Sequence, residues 1–131
     1  MAMSRVLETP ASRGEQASAY FRSRLAMETD ATDVYFDLQQ GSAGFTLLDA
    51  RAEESYATGH LPGAVNMPYR VITAETTATW NKDTVIVVYS VGPACNGATK
   101  AAARLSALGF SVKEMIGGLA SWKEEGYPIQ H

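Results

Sequence analysis

The sequence predicts an α/β fold built on a mainly parallel sheet, and three observations carry that expectation. Apolar runs with many β-branched residues alternate along the chain with stretches of helical periodicity. One run, residues 84–89, is apolar at successive positions, as suits a central strand covered on both faces. No hairpin turn joins one strand to the next, so the strands are connected through helices.

The elements follow in order. Residues 1–13 read as a flexible leader, and residues 14–131 as one domain without repeat or linker. Ala17, Tyr20, Phe21 and Leu25 recur at helical spacing, which predicts an amphipathic helix over 14–28. Asp30, with Asp33 three residues on, is an N-cap for a short helix carrying Val34 and Leu38, which Gln40-Gly41-Ser42 ends. Phe45-Thr46-Leu47-Leu48-Asp49 reads as a buried strand, and 52–57 as one or two helical turns. The turn Gly59-His60-Leu61-Pro62-Gly63 leads into a short strand at 64–67. Residues 70–83 are mixed and polar, placing only a loop or weak helix. After the strand 84–89 comes a helix whose apolar face is Ala98, Ala101, Ala102, Leu105 and Leu108, stopped by Gly109. A strand at 112–116, a Gly117-Gly118 turn and a last short helix over 119–125, ending at Gly126, complete the chain.

Composition narrows the function classes. The apolar share of 46% and charged share of 19% are those of an ordinary globular domain. A net charge of −3 and the lack of a basic stripe argue against nucleic acid. No apolar run is long enough for a bilayer, and residues 1–15 lack the apolar segment of a secretory signal. One cysteine forms no internal disulfide, which makes a cytoplasmic location the expectation. His60, His131 and Cys95 lie too far apart in sequence for a metal-ligand motif, so neither metal nor cofactor is expected.

The chemistry concentrates in residues 87–100, VVYSVGPACNGATK. A strand, a glycine-bearing loop and a helix start make an anion cradle, because backbone N–H groups converge there and the helix dipole favours negative charge. The candidate residues are Ser90 at the strand exit, Cys95, and the loop positions Val91, Gly92, Pro93, Ala94, Asn96 and Gly97. Ligands of open α/β sheets bind beyond the carboxyl ends of the strands, which puts Asp49 and Arg51 on the same edge as this loop. The segment from Gly92 to Thr99 nearly matches a phosphate-binding loop, but Ala98 stands where the lysine should be. A cysteine phosphatase loop would need an arginine near its end to fork onto the phosphoryl oxygens, and the first one, Arg104, comes two turns later.

A third chemistry, sulfur transfer, comes with a family resemblance. Asp49-Ala50-Arg51, Tyr56 and the run from Gly59 to Pro68 resemble the first half of a rhodanese domain. Val87-Val88-Tyr89, the loop, residues 101–108, Gly109-Phe110, Gly117-Gly118, Trp122 and Gly126-Tyr127-Pro128 resemble the second half. The likeness covers about residues 34–129, and the chain also resembles a subgroup whose loop reads Tyr-Cys-x-Gly-Pro-x-Cys-Asn-Gly. It implies a three-layer fold with a mainly parallel five-stranded sheet between helices. It also implies a sulfurtransferase that carries sulfane sulfur as a loop cysteine persulfide. The implied partners are a small anionic donor such as thiosulfate and a thiol or cyanide-like acceptor; the oligomeric state is not implied.

This chain departs from the pattern at the nucleophile position, where Ser90 stands in place of cysteine. A thiol in such a cradle is acidified from about 8.5 toward neutrality, whereas a serine needs a neighbouring base and its oxygen cannot hold a transferable sulfur. The expectation is therefore an intact cradle with turnover at or near background. The alternative is a non-catalytic module that binds anions or a partner protein. Cys95 is a second candidate thiol; the expectation is that it packs behind the loop as a small apolar residue. Asp49 and Arg51 are expected to form a supporting pair, His60 to serve its turn, Asn96 to cap the helix, and Lys100 and Arg104 to form a solvated face, with steering of an anionic substrate such as thiosulfate as the alternative.

Overall fold

The computed structural model describes residues 3–41 and 44–131; Met1 and Ala2 of the expected leader, and Ser42 of the expected helix stop, lie outside it. Eleven segments follow in chain order: α1 (Glu15–Met27), β1 (Glu28–Thr29), α2 (Ala31–Gln39), β2 (Phe45–Asp49), α3 (Glu53–Thr58), β3 (Val65–Asn66), a 3-10 turn (Tyr69–Val71), β4 (Val85–Tyr89), α4 (Gly97–Ala107), β5 (Val112–Met115) and α5 (Gly118–Glu124). The five strands form one sheet in the order β1-β5-β4-β2-β3, and every pairing is parallel.

Side chains alternate across this sheet and so build two cores. Leu47, Val87 and Tyr89 point to one face, where they pack with Val34, Leu61, Leu119 and Trp122. Leu48, Ile86 and Val88 point to the other, against Ala98, Ala101, Leu105 and Phe110. The consecutive apolar run of β4 thus reflects two covered faces, as its sequence predicts. Trp122 anchors the first core: it is fully buried, donates its Nε1–H to Pro128 O at 2.8 Å, and meets Tyr35 and Tyr127 edge-on.

The start of α2 is as predicted, with Asp30 Oδ1 accepting the Asp33 N–H at 2.9 Å. Two elements differ from expectation. β1 was not legible, because Glu28 and Thr29 carry no strand pattern; they extend only because they pair with Glu114 and Met115 of β5. α1 forms where its periodicity places it, yet it buries no side chain, and Tyr20, Phe21 and Leu25 remain 57–71% exposed. Its apolar stripe faces away from both cores. Residues 3–13 are exposed and hold neither helix nor strand. Among the described residues no helix is long and apolar enough to cross a membrane.

Candidate functional site

The strand order reverses between β2 and β4: β3 lies outward of β2, and the chain then crosses back to β4 and β5. The carboxyl ends of β2 and β4 therefore flank the switch point at which such sheets bind ligands. Asp49 closes β2, Tyr89 closes β4, and Ser90 opens the loop.

Beneath the switch point lies a buried polar knot. The Asp49 carboxylate, with no exposure, is gripped by Arg51 through Nε and Nη2 at 2.8–3.1 Å, and also accepts the Arg51 backbone N–H at 2.9 Å. Arg51 Nη2 donates on to Gly59 O at 2.6 Å. The Tyr89 hydroxyl donates to Asp49 Oδ2 at 2.7 Å and accepts the Leu61 N–H at 3.1 Å. Burial alone would lower the Arg51 pKa, but the hydrogen bond and charge of Asp49 outweigh it and hold the guanidinium above its ordinary value. Burial first, and the adjacent carboxylate with it, pushes the Tyr89 phenol far up, so it stays a neutral donor. The knot ties β2, β4 and the turn after α3 together, which is a supporting arrangement. His60 is held in that turn, its Nδ1 2.9 Å from Tyr56 O and its ring stacked on Tyr56.

The loop is pinned from one side. α5 starts immediately behind it, and its unpaired first-turn amides take loop carbonyls as acceptors: Leu119 N–H to Ser90 O and Ala120 N–H to Val91 O, each at 2.9 Å. Gly118 permits this approach. It has φ +57°, and a Cβ there would lie 2.6 Å from Ser90 O. With these carbonyls turned toward α5, one loop amide is closed on a loop carbonyl, Cys95 N–H on Gly92 O at 3.0 Å.

The two candidate nucleophiles lie against each other. Ser90 is buried, its Oγ under Gly97, where an added Cβ would come within 2.8 Å of it. Cys95 is exposed, which corrects the expectation that it packs behind the loop. Its Sγ lies 3.5 Å from Ser90 Oγ and accepts the Gly97 N–H at 3.4 Å. It lines an open hollow of about 650 Å³ formed by Gly92, Pro93, Ala94, Asn96, Thr99, Glu114, Ile116 and Gly117. The Ser90 hydroxyl, then the Gly97 and Val91 amides and the charge of Lys100, lower the Cys95 pKa; the slight burial opposes them. Position 95 lies two residues before the helix start, where the first N–H groups need acceptors, and its Sγ takes that of Gly97. Asn96 occupies the N-cap position, against expectation without a capping bond from its side chain, because its backbone (φ −98°, ψ 18°) is not extended.

Tyr69 and Arg70 extend the Lys100–Arg104 pair into a basic cluster. Arg70, Lys100 and Arg104 bring their cationic groups within 5.2–5.7 Å of the centre of the Tyr69 ring, and Arg104 donates to Arg70 O at 3.2 Å. The one-turn spacing of Lys100 and Arg104 was visible; the arrival of Tyr69 and Arg70 from the β3–β4 connection was not.

The rhodanese-like domain model matches residues 30–125. The chain belongs to the rhodanese-like family. A solved structure of the BH2092 protein from Bacillus halodurans is 41% identical, with a TM-score of 0.85 over 88% of this chain and 84% of that one. The rhodanese-like domain of the Anabaena sp Alr3790 protein is 34% identical, with a TM-score of 0.71 over 79% and 77% of the two chains. Among curated proteins, the HTH-type transcriptional regulator Rv0324 of Mycobacterium tuberculosis is 36% identical over 93 residues, 70% of this chain. Thiosulfate sulfurtransferase 16, chloroplastic, of Arabidopsis thaliana is 34% identical over 99 residues, 67% of this chain and 82% of that protein. The match spans only 41% of the regulator, and 22% of the adenylyltransferase and sulfurtransferase uba4 of Ogataea parapolymorpha. The rhodanese-like domain and its five-stranded sheet are as the family resemblance implies, and the α/β class with a parallel sheet is as the residue pattern predicts.

Proposed function

We propose that this domain moves sulfane sulfur from a small anionic donor to a thiol-type acceptor, with Cys95 as the thiol that carries the sulfur and Ser90 as its hydrogen-bond donor. One observation carries the reading: Cys95 is an exposed residue lining the open hollow, with Ser90 Oγ and the Gly97 N–H on its Sγ. The cradle that would hold a ligand anion is directed instead at this sulfur, which favours the thiolate.

With thiosulfate as donor, the Cys95 thiolate attacks the outer sulfur. The new S–S bond forms as the donor's S–S bond breaks, and sulfite leaves with the electron pair. Attack by cyanide or a thiolate on the terminal sulfur of the persulfide then returns an electron pair to Cys95. The Ser90 O–H stabilises the sulfur anion before the first step and after the second. Lys100, with Arg70 and Arg104 around Tyr69, draws the anionic donor toward the loop. Asp49, Arg51 and Tyr89 hold the strand ends that carry the loop and touch no substrate. Because position 90 has no thiol, turnover stays well below that of a relative with cysteine there.

The test is mass measurement after incubation with thiosulfate and removal of excess donor. The reading expects one sulfur atom added to the chain, lost on treatment with cyanide, and none added to Cys95→Ala. An unmodified chain would sink it and leave the anion- or partner-binding module in its place.

A further inference from the structure

Ile116, just past β5, is 40% exposed and lines three adjoining hollows. One is the hollow of Cys95. The second is a groove of about 350 Å³ between α1 and the start of α2, walled by Phe21 and Leu25. The third runs toward Ser121 and Glu125 of the α5 end. α1 contributes nothing to either core; it is held by Lys113 Nζ on Leu25 O at 3.0 Å and by its continuation into β1, with Phe21 and Leu25 open to solvent. Such an apolar groove beside a reactive group is the anatomy of a docking surface.

Its rim identifies the occupant. Across the three hollows the lining residues include five carboxylates (Glu28, Asp30, Asp33, Glu114, Glu125) against one cation, Arg24, which Glu28 already holds at 3.0 Å. A second copy docked through a two-fold axis would set this acidic rim against itself. The basic cluster around Tyr69 lies on the β2 side of the sheet, so pairing it with the rim would be head-to-tail and would not close a dimer. The complementary surface is a different protein with an apolar anchor ringed by Lys or Arg.

We propose that this face docks the sulfur acceptor, and that the acceptor is a protein whose thiol lies beside an apolar side chain and basic residues. The anchor enters between Phe21, Leu25 and Ile116, the cations meet Asp30, Asp33 and Glu125, and Ile116 joins that groove to the hollow of Cys95. Donor and acceptor would then approach from opposite sides of the loop, the anion past Lys100 and the basic protein past Glu114.

This inference rests on Cys95 as the sulfur carrier, so the experiment reads the two separately. The full chain is loaded with thiosulfate and discharged to cyanide, to a cysteine peptide flanked by leucine and lysines, and to its counterpart with glutamates. At low ionic strength the lysine peptide should discharge the chain about ten-fold faster than the glutamate peptide. In the double variant Phe21→Ser, Leu25→Ser, and in Asp33→Lys, the ratio of lysine-peptide to cyanide discharge should fall. Equal rates for the two peptides, or a ratio that survives the variants, overturns the proposal. Calorimetry with the S-methylated lysine peptide needs no sulfur on Cys95. Saturable binding that the variants weaken supports the docking face even where cyanide discharge fails. Absent binding with cyanide discharge intact overturns the face and leaves Cys95 standing.

Discussion

With Ser90 Oγ 3.5 Å from Cys95 Sγ, a substitution at either position reports on the other. Ser90→Ala removes the largest influence lowering the thiol pKa, so the midpoint of iodoacetamide labelling against pH should move up toward the ordinary cysteine value of about 8.5. Labelling near neutral pH should slow accordingly, since the thiolate forms only as pH rises through that midpoint. An unchanged profile would show that the hydroxyl does not act on the sulfur. Ser90→Cys places a second sulfur against the first. Under reducing conditions it should raise thiosulfate-to-cyanide turnover above the parent. Under mild oxidation the two thiols should become unreactive together and return with dithiothreitol, provided the loop lets their Cα atoms stand within about 7 Å. Thiol titration before and after reduction reads this directly. Serine at position 90 was plain in the sequence; the burial of its Oγ and the exposure of Cys95 were not, because they depend on how α5 pins the loop carbonyls.

At the level of elements, the ends of strands and helices carry both the site and much of its stability. Removing the carboxylate in Asp49→Ala strands the Arg51 guanidinium and the Tyr89 hydroxyl in a buried place. The loss should be about 3 to 5 kcal/mol, read by urea denaturation. A loss under about 1 kcal/mol, the range of exposed pairs, would mean that water reaches the knot. Asp30→Ala should cost about 1 kcal/mol through the lost cap on α2. The cap was legible because Asp30 and Asp33 stand at capping distance in sequence. Asn96 is also a capping residue type and does not cap, since its backbone (φ −98°, ψ 18°) is not the extended conformation that aims a capping side chain at the first turn. For α1 the periodicity gave the helix correctly and its packing wrongly: spacing places apolar residues on one face, and nothing in spacing says what covers it.

For the whole molecule, the two cores on either side of the sheet hold the switch point in place. Leu105 is fully buried in the α4-side core, and Leu105→Ala should destabilise by about 2 to 5 kcal/mol in the same denaturation experiment, with thiol labelling in the folded range unchanged. A faster or slower thiol in that variant would mean that the core, and not the loop alone, sets the sulfur's environment. Local sequence was enough for the α/β class, the four pattern-bearing strands, the helix that follows the loop and its glycine stop, and the loop itself. Each of these is written in local periodicity, in turn chemistry, or in motifs that stand together in the chain. The rest came from contacts between segments distant in the chain. β1 exists only through its pairing with β5, and the basic cluster forms only when Tyr69 and Arg70 meet α4 across the sheet edge. The choice between Ser90 and Cys95 as the accessible group was settled by two amides of α5 and by the first turn of α4, groups that lie far apart in sequence or whose direction sequence does not encode. Local pattern specifies which backbone forms; which side chain that backbone then exposes depends on the neighbours folded against it.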